Sequence, residues 1–140
     1  MAQRLSLLVL LALCLCVRPA AVFTQQQAAT AIPARPDVDA ALAAEFVAAA
    51  PPARDALIAA RPTILDAAFT AWLNNEGQRR RNARDFDGAR QYHLAALYIG
   101  EQHSRPAAAV SATNGLSMLA SAQNDAPAAM QFAERALALA

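Results

Sequence analysis

Few side chains in this 140-residue sequence are of a type that does chemistry, so their spacing carries the question. Two histidines occur, His93 in QYHLAALYI and His103 in EQHSRP. A histidine base needs a nucleophile or a carboxylate held in a fixed relation to it. No such partner stands at a fixed offset from His93, which reads as a packed or half-exposed structural residue. His103, beside Ser104, reads as solvated. Glu76 with the two histidines lacks the spacing of a metal-ligand set. The sequence shows no glycine-rich phosphate loop and no serine in a nucleophile elbow. The expectation is a non-catalytic protein that needs no cofactor and no metal.

The other polar concentration is RRRNARD, residues 79–85. Three consecutive residues on a helix fan over about 200°, so the three arginines cannot form one patch. Glu76–Arg80 and Arg81–Asp85 have i, i+4 spacing with the acid first in the former pair. The run is expected to be a solvated helix end whose cations suit the C-terminal dipole. The other use would be an anion-holding edge of a binding groove.

The elements that position these residues follow from composition and punctuation. The chain is 56% hydrophobic, carried mainly by alanine, a composition that favours helices. All twelve cationic residues are arginine. Residues 1–22 have a charged start, an apolar run over residues 5–17 and a tail of small residues. That is the layout of a secretory signal peptide, and the run is short for crossing a bilayer. Cleavage between Ala21 and Ala31 would make the protein secreted or periplasmic, with membrane contact only through an uncleaved signal segment. It would remove Cys14 and Cys16, leaving ten arginines against eleven acids. A near-neutral surface argues against nucleic acid as the partner. Residues 23–36, rich in Gln and Pro, read as a flexible linker. Residues 37–61 read as a helical lead-in, with Asp37 as N-cap, a break at APP, and Leu57 and Ile58 turned inward. From Thr63 a longer helix is expected, with Thr63 and Asp66 forming a capping box.

Residues 62–140 repeat. At an offset of forty, Asp85 meets Asp125, Ala89 meets Ala129, Tyr92 meets Phe132, Ala96 meets Ala136 and Leu97 meets Leu137. The matches fall at i, i+3, i+4 and i+7, the spacing of one buried helix face. Residues 73–99 carry Leu73, then Gly77, the turn pair Asp85-Phe86, Ala89, and Ala96-Leu97. This pattern resembles a tetratricopeptide repeat. Residues 113–139 are a second copy with Leu116-Ser117, Asp125, Ala129, Phe132 and Ala136-Leu137, lacking the turn aromatic. The resemblance covers about half of the chain. It implies an all-α fold, a short helical-hairpin solenoid coiled as a right-handed superhelix. The units would be residues 63–103 and 104–140. Trp72 and Tyr92 would join Leu73, Phe86 and Leu97 in the core, and Leu116, Leu119 and Met118 would extend it.

In that family the first helix of each pair lines a concave side. The resemblance places Asn74, Gln78, Arg81 and Asn82 there from the first unit, and Ser111, Asn114 and Met118 from the second. Asn side chains donate and accept, so they can hydrogen-bond a peptide backbone. The family's carboxylate-gripping variety uses Lys and Asn at such places, and this chain has no Lys. The function expected is an exported scaffold that binds another protein or a peptide. The alternative is the recruiting or sensing end of a longer, protease-like enzyme. Phe132, Leu137 and Leu139 are expected to leave an apolar stripe on the last helix through which the chain self-associates.

Overall fold

Asp and Pro residues set where the helices begin. The computed structural model describes residues 38–140. The expected signal peptide, linker, cleavage site and Asp37 cap lie outside them. The described residues are all-α, with six α-helices, one 3₁₀ turn and no strand. Helix α1 spans Ala40–Ala48. Asp39 caps it, its carboxylate accepting from the amides of Ala41 at 2.9 Å and Leu42 at 3.3 Å. Pro51 then opens α2, Pro51–Ala60, where a missing amide proton costs nothing.

The start of the next helix differs from expectation. Thr63 lies in a 3₁₀ turn, Pro62–Leu65, and α3 runs Ala67–Asn82. Asp66 is the N-cap, and its side chain makes no capping bond. No capping box forms, because the tight turn is what carries Ile64 into the core, where it is completely buried. Burying Ile64 outweighs the local capping preference.

Helices α4 (Phe86–Gln102), α5 (Pro106–Ala122) and α6 (Ala126–Leu139) follow through three turns of one design. In each, one residue takes a left-handed backbone: Arg84 (φ 63°), Ser104 (φ 53°) and Asn124 (φ 60°), evenly spaced along the chain. The next amide closes back onto the preceding helix, Asp85 to the Arg80 carbonyl, Arg105 to Gly100 and Asp125 to Ala120, each at 2.9 Å. This is the Schellman closure, which satisfies carbonyls left over at a helix end. The Asp85 and Asp125 carboxylates then cap the following helices through the amides of Gly88 and Ala128. Between them Arg105 offers no cap, and Pro106 opens α5 instead.

Turns this short bring consecutive helices side by side and antiparallel. Helices α3, α4, α5 and α6 pack in sequence order, α3 also touches α5, and α1 reaches α4. One apolar cluster runs from Leu42 and Phe46 through Phe69 and Leu73 to Ala112 and Leu116. Where α4 crosses α5 the backbones meet: a Cβ on Gly100 would overlap the main chain of Ala109. Arg54 of α2 donates to the carbonyls of Phe46 and Val47 at the end of α1 and covers the rings of Phe46 and Tyr98.

Of the expected packing residues, Leu73, Gly77, Ala89, Tyr92, Ala96, Leu97, Leu116 and Ala136 are buried. Trp72, Phe86, Ala129 and Phe132 are half-buried. Leu137 is not a packing residue: it is 79% exposed. Leu97, its counterpart, sits on a helix held between α3 and α5, whereas α6 packs chiefly against α5. Met118, expected to extend the core, is 50% exposed. No helix among the described residues is long and apolar enough to cross a membrane.

Candidate functional site

The N-terminal halves of α3 and α5 line a groove of about 420 Å³. Thr70, Ala71 and Asn74 form one wall, and Pro106, Ala107, Ala108 and Ser111 form the other. Leu65 and Ala67 close the end at the 3₁₀ turn, and Ser104 and Arg105 stand at the α4–α5 turn. The walls are mostly alanine and other small side chains, which leave the space between the two helices open. Thr70 donates its hydroxyl back to the carbonyl of Ala67 at 3.0 Å, within its own element.

The polar floor is a chain of three side chains. Asn74 is 5% exposed. Its Nδ2 donates to Ser111 Oγ at 3.3 Å, and its Oδ1 meets His93 Nδ1 at 3.1 Å. With the amide in this orientation, Nδ1 of His93 carries the proton and donates. Both ends of Asn74 are therefore engaged within the fold, and Ser111, exposed, keeps a hydroxyl proton to give. Arg105 is exposed at the rim and makes no ion pair among the described residues.

His93 is completely buried. Its ring lies between two helices at glycine positions: a Cβ on Gly77 of α3 would stand 2.8 Å from it, and one on Gly115 of α5 would overlap it. Nε2 has no partner. Burial, with Arg81 nearby, pushes the imidazole down to about 4, so it is neutral at physiological pH.

Of the residues expected to line a groove, Asn74 and Ser111 are brought together and line this cavity. Gln78, Asn82, Asn114 and Met118 are exposed, and Arg81 is half-buried. By helical spacing they continue the same faces of α3 and α5 beyond the cavity. The residues that wall it lie one turn N-terminal to those anticipated. Stepping back by three or four from Asn74 and Ser111 would have found Thr70, Ala71, Ala107 and Ala108.

The charged run is paired internally. Glu76 accepts from Arg79 at 2.7 and 2.8 Å and from Arg80 at 3.1 Å. Those bonds, the one from Arg79 foremost, hold its carboxyl below the usual range. Asp85 pairs with Arg80 at 2.7 Å rather than with Arg81 as expected. Asp85 lies beyond the end of α3, so the i, i+4 register does not reach it. The Arg80 guanidinium also sits 4.7 Å above the Tyr92 ring. His103 is half-buried rather than solvated, 3.7 Å from Asp55, whose carboxylate accepts from the Tyr98 hydroxyl at 2.6 Å. Among the described residues no cluster of three or more His, Cys, Asp or Glu side chains is placed to hold a metal ion.

No protein-family model, curated protein or solved structure matches the chain.

Proposed function

We propose that this chain is an exported, non-catalytic scaffold that binds a peptide or a segment of another protein in the groove between α3 and α5. The helices would form a short solenoid like that of tetratricopeptide repeats. The evenly spaced left-handed turns and the contact of α3 with α5 support that reading. The observation that carries the binding proposal is the groove itself. It is concave, walled by small apolar groups, and supplied with two donors, the Ser111 hydroxyl and the Arg105 guanidinium. Such a site suits an extended chain that places one apolar side chain between Ala71 and Ala107 and an acidic group near Arg105. Asn74 serves as a brace, because its amide is committed to Ser111 and His93. Filling the groove tests this. Peptides selected from a displayed random library should be enriched in an apolar residue next to an acid. Ala71→Trp or Ala107→Trp should weaken their binding at least about tenfold, with the thermal melt unchanged because both positions are exposed. Absence of any enrichment, or equal binding by the filled variants, would sink the proposal.

A further inference from the structure

Helix α6 has two apolar faces. Ala129, Phe132, Ala136 and Leu139, spaced 3-4-3, face the body of the protein: Ala136 is buried, and Phe132 and Leu139 pack against the core. The Ser117 hydroxyl fixes this side by donating to the Ala129 carbonyl at 2.8 Å. A second stripe, Ala126, Met130, Ala133 and Leu137, continued by Ala140 just past the helix end, is spaced 4-3-4-3 and is exposed throughout. Met130 is 64% exposed and Leu137 is 79% exposed, two of the four exposed large apolar side chains among the described residues. An average spacing of 3.5 is that of a coiled-coil seam, narrower than a core-facing stripe. A solvent-facing helix surface has no use for such a seam.

We infer that this stripe is a contact between two copies of the chain, with α6 of one laid antiparallel along α6 of the other. The order of side chains selects this occupant, because it reads nearly the same from either end. Ala133 is the centre, Met130 and Leu137 flank it, and Ala126 and Ala140 lie outermost. Turned end for end, Met130 meets the partner's Leu137 twice, once from each side. Ala126 meets the partner's Ala140. Ala133 meets the partner's Ala133 at the two-fold axis, where small side chains let the backbones approach. The arrangement is isologous and closed, so it ends at two copies. Opposed helices also set their dipoles head to tail, which a parallel pair would not. The seam extends about 21 Å at 1.5 Å per residue, far less than a standard-size interface, so the dimer is weak and forms near about 0.1 mM. The groove between α3 and α5 plays no part in it.

Cross-linking in the full chain tests this, with Cys14→Ser and Cys16→Ser removing the native thiols. Under mild oxidation at about 0.1 mM, Ala133→Cys should form disulfide dimers at least about tenfold faster than Gln131→Cys, which is exposed off the seam. Adding Leu137→Glu should bring Ala133→Cys down to the Gln131→Cys rate, with no change in the thermal melt, since Leu137 supports nothing in the monomer. An equimolar mixture of Met130→Cys and Leu137→Cys chains should give mixed disulfides over self-pairs, resolved by intact mass. Equal rates at positions 133 and 131 would overturn the contact. Predominant self-pairs would overturn the antiparallel register, and failure of Leu137→Glu to slow the reaction would overturn the role of the stripe.

Discussion

His93 occupies the meeting point of α3, α4 and α5 with one of its two nitrogens served. Asn74 Oδ1 accepts the hydrogen bond from Nδ1, and Gly77 and Gly115 close over the ring. The fold has thus committed a titratable group to the neutral form, and that makes its stability depend on pH. In the unfolded chain the imidazole takes up a proton near 6.5, whereas in the folded chain it does so only at about 4. The folded state is therefore fully stabilised above about pH 6.5 and loses ground as pH falls towards 4. The loss is about 1.4 kcal/mol per unit across that window, or about 3 kcal/mol in all. Replacing the histidine by glutamine removes this term. Denaturant midpoints at pH 7, 5.5 and 4 should fall more steeply for the wild type than for His93→Gln. Parallel slopes would mean that His93 reaches water in the folded protein.

At the scale of elements, the three Schellman turns carry strain that sequence reasoning could not see. The breaks at APP and at the Asp85-Phe86 turn were legible, and α2 and α4 begin there, whereas the caps that Asp85 and Asp125 supply were not anticipated. The all-helical fold was legible from alanine content and apolar spacing. The left-handed residues were not, because only Asn124 is of a type that favours that conformation, while Arg84 and Ser104 are ordinary L-residues held there by the closure. The groove was half legible. Asn74 and Ser111 were on the right faces, but a single helix face does not reveal that His93 would claim Asn74 from behind. Leu137 was misplaced because an offset of forty equates α6 with α4, although α4 is flanked on both sides. Relieving the turns gives a direct measure of their strain. Arg84→Gly and Ser104→Gly should each raise stability by about 0.5–1 kcal/mol, net of glycine's greater freedom in the unfolded chain, and Asn124→Gly by less. Chemical denaturation at pH 7 checks this, and a loss of stability in both variants would mean that the Arg84 and Ser104 side chains hold the turns.

Across the whole molecule, burial is uneven along the helix row. The core cluster begins in α1, where Phe46 is completely buried and has edge-on neighbours Phe69 at 5.9 Å and Tyr98 at 6.5 Å. Arg54 and the Asp55–Tyr98 bond pin α2 to the same place. The lead-in is therefore part of the main folding unit and not an appendage. At the other end α6 buries only Ala136 fully. Stability in such a row decays towards a terminal helix flanked on one side only, where amides exchange by local opening and not by global unfolding. Phe46→Ala separates the two regimes, because Phe46 is completely buried and its loss leaves a cavity that costs about 3–5 kcal/mol. Amides in the middle of α4 should lose protection by that full amount, since they exchange only when the whole unit opens. Amides in the last turns of α6, already opening by fraying, should exchange as in the wild type. Native-state hydrogen exchange on both proteins resolves this. If α4 keeps its protection, α1 and α2 fold independently of the rest. If α6 loses as much as α4, the six helices open together and the row has no weak end.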